Sequence, residues 1–164
     1  MAAGLLLVSA QVPAVDVQVK ITGTILIPPC TVNDGQTIEV DFGDVSVTDV
    51  DNARNQREKT VKIECSYSQG KAYVKVTGDK LEDYVLKTKE RANFGIALYQ
   101  GKGTATKLIL GDGQSNGKDA IGYPITSGLS GNNFTFTAVP YKKGSEELTA
   151  GEFTATANMS ISYF

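Results

Sequence analysis

From Phe153 to the end of the chain, apolar and polar residues alternate without a break. Phe153, Ala155, Ala157, Met159, Ile161 and Tyr163 fall on one face of an extended strand, and Thr154, Thr156, Asn158, Ser160 and Ser162 on the other. The run opens at Gly151 and closes on Phe164. Such a strand can pack as an ordinary member of a sandwich, or its apolar face and row of backbone donors and acceptors can take a strand from another polypeptide. A second long alternation lies near the other end. There Val17, Val19, Ile21, Gly23, Ile25 and Ile27 interleave with Gln18, Lys20, Thr22, Thr24 and Leu26 until Pro28-Pro29 stops the run. Between the two, the pattern predicts strands over 37–42, 60–67, 72–77, 93–100, 106–110 and 133–139. Turn chemistry such as Asn33-Asp34-Gly35, Gly111-Asp112-Gly113 and Lys142-Lys143-Gly144 separates them. The charged stretches 49–59 and 80–91 read as connections, the second with room for a short helix or an edge strand. Short strands at this spacing predict an all-β sandwich.

Composition agrees with one such domain. The chain has 164 residues, 41% of them hydrophobic, with 17 Gly and 7 Tyr. A formal charge of −2, with the 16 basic residues scattered, gives no attraction to nucleic acid or anionic lipid. Residues 1–14 differ from the rest: Ala2–Val8 is an apolar run too short to span a bilayer, and Val12-Pro13-Ala14 has the form of a signal-peptidase site. No Lys or Arg precedes the run, so the charged start of a leader is missing. The expectation is a leader remnant at 1–14, with the mature chain opening at Val15 or Asp16. In an oxidising compartment Cys30 and Cys65 would most simply form one disulfide, worth about 3–4 kcal/mol by loop entropy; two unpaired thiols in a cytosolic protein are the alternative.

Catalytic chemistry finds little support. With no His, the usual base for a nucleophilic Ser or Cys is missing, and two Cys alone supply too few ligands for a structural metal site, so neither cofactor nor metal is expected. Asp49/Asp51 and Glu146/Glu147 read as solvated surface charge rather than a glycosidase pair. Gly101-Lys102-Gly103 lacks the hydroxyl residue that follows the Lys of a phosphate loop. Asp112–Gly117 opens like a Ca²⁺ loop but has Tyr123 where the closing Glu belongs. Asn133 and Asn158 begin glycosylation triplets inside predicted strands, which chance explains.

Taken together, the paired Cys30 and Cys65, the N-terminal arm with Gly23, the Phe94–Tyr99 strand, Gly151 ahead of the last strand and the penultimate Tyr163 resemble the chaperone–usher pilus subunits. The resemblance covers essentially the whole chain after the leader. Within that family, Ile27–Asn33, Val40–Gly43 and Phe134–Thr137 are most similar to minor adaptors of the pilus tip. It implies an immunoglobulin-like sandwich lacking its last strand, completed by a donor strand from a chaperone or a neighbouring subunit. Residues 15–29 would be the donor arm and first strand, and 30–164 the pilin domain. Val17, Val19, Ile21, Gly23 and Ile25 would enter the groove of a neighbour. Gly151, Phe153, Ala155, Ala157, Met159, Ile161, Tyr163 and Phe164 would form the edge that a periplasmic chaperone grips. The implied partners are that chaperone, the outer-membrane usher and neighbouring subunits including an adhesin, at the tip of a surface fimbria. A repeating rod subunit, a single-domain adhesin binding a host glycan and an exported β-sandwich enzyme remain as alternatives.

Overall fold

The structure, a computed structural model, describes residues 15–164; the leader expected at 1–14 lies outside them. In chain order the strands are β1 (Thr31–Val32), β2 (Arg57–Glu64), β3 (Ala72–Gly78), β4 (Lys80–Glu82), β5 (Val85–Lys87) and β6 (Phe94–Gln100). There follow β7 (Thr106–Lys107), β8 (Gln114–Asn116), β9 (Asp119–Pro124), β10 (Leu129–Ser130), β11 (Asn133–Lys142) and β12 (Ala157–Tyr163). They form two sheets. The first runs β1-β2-β11-β6-β5-β4, with β10 beside β11 and β7 beside β6, and the second runs β12-β3-β9-β8.

Period-two patterning decides which side chains meet between the sheets. The first sheet contributes Val61 and Ile63 from β2, Ile96 and Leu98 from β6, and Phe134, Phe136 and Ala138 from β11; the second contributes Val74 and Val76 from β3 and Ile161 from β12. Leu108 and Leu110, fully buried just beyond β7, fill the space where the chain passes from one sheet to the other. One glycine is required by close approach: Gly122 in β9 has φ +85°, and a Cβ there would run into the carbonyl of Val74.

The expected strand at 37–42 keeps its alternation but joins no ladder. The stretch 80–91, open between helix and edge strand, forms the β4–β5 hairpin. Strand β2 starts inside the expected connection 49–59, and β11 extends past its expected end to Lys142. The expected turn Gly111-Asp112-Gly113 leads into β8, which hairpins onto β9. The last run, expected to be one strand from Phe153, enters the ladder only at Ala157.

Candidate functional site: a slot between two walls and an exposed arm

Among the described residues, strand β12 forms a ladder along one edge only, with β3, from Ala157 opposite Gly78 to Tyr163 opposite Ala72. Its other edge faces residues 36–47, which follow β1 and run along the opposite margin of the sandwich. The two margins meet at one end, where the Cys30 N–H donates to the Ile161 carbonyl at 2.8 Å and the Cys30–Cys65 disulfide fixes Cys30 to the chain just beyond β2. From there they diverge. Among the described residues no backbone hydrogen bond joins 36–47 to 151–160.

The opening is apolar. Ile38, Val40 and Phe42 line one wall, and Phe153, Ala155, Ala157 and Met159 the other. Val76, Leu86, Ile96, Leu98, Phe136 and Ala138 form the floor of a cavity of about 260 Å³. A second cavity of about 620 Å³ continues the slot past Phe42 and Phe153 towards Val45, Val50, Arg91 and Leu148. Both walls thus present inward-facing side chains on extended backbone without a strand between them, the arrangement left when a sandwich lacks one strand.

Each wall is braced by an arginine. Arg57, at the start of β2, donates from Nε to the Asp41 carbonyl at 3.2 Å and from Nη2 to the Phe42 carbonyl at 2.8 Å, with its guanidinium 5.9 Å from the centre of the Phe42 ring. Arg91 donates from Nε to the Thr149 carbonyl at 2.6 Å and from Nη1 to the Glu152 carbonyl. Beside it, Glu90 accepts the Thr154 N–H at 2.8 Å and the Lys89 N–H donates to the Thr154 carbonyl. The Thr154 N–H holds the Glu90 carboxyl below the usual carboxylate range.

The arm lies apart from this slot. Val17, Val19, Ile21 and Ile25 are 79–100% exposed, and nothing approaches within 4 Å of the position where Gly23 would carry a Cβ. Five large aliphatic side chains on one face of an extended segment, Val15 included, are a substantial apolar surface in water.

The other expected site residues divide clearly. Phe153, Ala155 and Met159 are half-buried on the slot wall and Ile161 is fully buried beneath its closed end. Ala157 is exposed at the rim. Gly151 (φ +136°) lies against the Arg91 guanidinium at the far end, outside the ladder. Phe164 pairs through its backbone N–H and carbonyl with Lys71, so the end of the chain is fixed in place. Glu146 and Glu147 are exposed, and Asp49 is ion-paired with Arg54, as expected of surface charge. Sequence reasoning missed Arg57, Glu90 and Arg91. No motif marks them, since their partners are backbone carbonyls and N–H groups distant in the chain.

A sandwich short of one strand, with an apolar slot in its place and an alternating arm on the same chain, is the architecture of a subunit completed by another polypeptide. The chain matches the model of the Fimbrial protein family over residues 19–164, and it belongs to that family. It is 48% identical to the fimbrial adapter PapF of Escherichia coli, covering 97% of this chain and 94% of that protein, and 47% identical to the minor fimbrial protein PrsF of Escherichia coli with the same coverage. The solved structure of the P pilus adaptor subunit PapF superposes with a TM-score of 0.58 at 41% identity, over 85% of this chain and 98% of that one.

Proposed function

We propose that this protein is a minor structural subunit of a chaperone–usher fimbria, acting as a tip adaptor that joins an adhesin to the tip fibre by donor-strand exchange. The observation that carries this is the presence on one chain of both halves of the exchange, an apolar slot short of a strand and a free alternating arm. Likeness to PapF along nearly the whole of both chains supports the adaptor role.

The chemistry is backbone pairing and apolar burial, with no covalent step and so no enzymatic role. In the periplasm a chaperone strand lies in the slot, pairs with the free edge of β12 and covers Val40, Leu98 and Phe136. At the outer-membrane usher the arm of another subunit replaces it, and this chain's own arm, with Val17, Val19, Ile21, Gly23 and Ile25 on the buried side, enters the slot of its neighbour. Each exchange trades one strand for another, so the slot is never left open to water.

Cross-linking mass spectrometry on sheared pili tests the reading. With a photoreactive residue at Lys20, the arm is expected to attach to one neighbouring subunit; with one at Thr154, the slot is expected to attach to a different one, and the protein to be present at about one copy per tip. Hundreds of copies along the shaft would make it a rod subunit instead. Absence of both cross-links would overturn the exchange mechanism.

A further inference from the structure

The inner faces of the two walls are apolar, and their outer faces carry charge of one sign. Along 36–47, Ile38, Val40 and Phe42 turn towards the core, and Thr37, Glu39 and Asp41 between them are exposed on the outer face. Gly43 (φ +61°) interrupts the alternation, and Asp44 beyond it is exposed as well. On the β12 side the outer face is Glu152, Thr154, Thr156 and Asn158, all exposed. The stretches 36–47 and 151–160 thus bring four carboxylates to the rim of the slot, Glu39, Asp41, Asp44 and Glu152, and no Lys or Arg.

Among the described residues none of the four is in an ion pair. The bracing arginines direct their N–H groups to backbone carbonyls instead, Arg57 to those of Asp41 and Phe42 and Arg91 to those of Thr149 and Glu152. A strand laid in the slot runs about 4.7–4.9 Å from each neighbouring backbone, with alternate side chains entering the cavity and the rest standing beside the outer faces of both walls. Cross-strand neighbours on one face attract when oppositely charged and repel when alike. The apolar side of an alternating arm meets the floor whatever its origin, so the outward side is where donors differ. This chain's own arm presents Asp16, Gln18, Lys20, Thr22 and Thr24 there, one acid against one base.

We infer that the acidic rim is a specificity determinant of the slot. Glu39 and Asp41 select a donor arm, from a different subunit, that carries Lys or Arg at successive outward positions, and they give no such advantage to the arm of a second copy of this chain. The same charge speeds the approach of a basic arm. The inference rests on the slot being a donor-strand acceptor.

The test uses the full chain with a copy of the Asp16–Ile27 sequence appended at its C-terminus through a cleavable linker. After cleavage, the appended strand is exchanged for a fluorescent peptide of the same sequence, and unlabelled competitors displace it, followed by anisotropy. The competitors share the apolar face of Asp16–Ile27 and carry either Lys or Glu at all three of positions 18, 20 and 22. The Lys peptide is expected to reach half-displacement at a roughly tenfold lower concentration than the Glu peptide at ~20 mM salt, with the unaltered sequence between them, and the ratio should approach one at ~0.5 M. Glu39, exposed on the rim, can be reversed without touching the core: Glu39→Lys should shrink the ratio and Glu39→Lys/Asp41→Lys should invert it. Equal displacement by the two peptides overturns the inference, and so does a preference for Lys that both variants leave unchanged. If the appended strand fails to stabilise even the unmodified chain, the acceptor reading itself fails, an outcome distinct from both.

Discussion

Met159 and Ile161 are two positions apart on the same face of β12, yet a charge would do different things at each. Ile161 has no exposed surface and packs opposite Val74, so Ile161→Asp buries an unpaired carboxylate and should abolish folded protein. Met159 is half-buried on the slot wall, where a charge can reach water until a donor strand covers it. If the proposed chaperone docks on β12, Met159→Glu should leave a chain that folds but no longer co-purifies with it; undiminished co-purification would rule out β12 as the docking edge. Glu90 offers a pH signature. Its folded pKa is lowered by the Thr154 N–H, so its stabilising contact is present above the ordinary carboxylate range and is lost as pH falls through the folded value. In urea melts of donor-complemented protein, Glu90→Gln should be less stable than the parent at pH 7, and the difference should close as pH falls through the folded carboxyl value. A gap that persists in acid would mean the carboxylate charge is irrelevant there.

At the level of elements, the arm is the clearest case, because a Cβ at Gly23 would meet nothing within 4 Å among the described residues beyond its chain neighbours. Gly23→Leu should leave folding and chaperone capture unchanged while costing roughly 1–3 kcal/mol of overpacking in the neighbour's slot. Mixing the variant with the next subunit should show failed hand-over, and a wild-type rate would refute the arm's role. Much of this was legible in the sequence. Period-two alternation reports which face a residue presents, so the arm, the wall at 37–42 and the final strand could all be read before any contact was known. Alternation does not report which backbone supplies the ladder, and for that reason 37–42 reads as a strand although it joins no ladder among the described residues. Strand β8, polar and exposed throughout between Gly113 and Gly117, gave no pattern to read. Arg57 and Arg91 escaped notice because a guanidinium gripping remote carbonyls leaves no local signature.

For the whole molecule, an open apolar slot together with an exposed apolar arm predicts poor behaviour alone. Produced without a partner, the chain should self-associate or unfold on size-exclusion chromatography, whereas an appended alternating strand should give a monomer with a single cooperative melt. A well-behaved monomer of the unmodified chain would contradict the missing-strand architecture. Slot and arm are different surfaces, so the proposed contact between them is head-to-tail and would build an open line rather than a closed ring. If such a line carries load, the root of the arm determines where that load goes. Pull on residues 15–27 passes through Pro28-Pro29 to Cys30, which is covalently bound to Cys65 and hydrogen-bonded to Ile161. Tension therefore bypasses the two-residue strand β1 and reaches the longer strands β2 and β12 directly, so the sulfur bridge acts as a mechanical tether. In single-molecule pulling, Cys30→Ala/Cys65→Ala subunits should yield at lower force, by peeling from β1, while the oxidised protein holds until the donor strand shears from the slot.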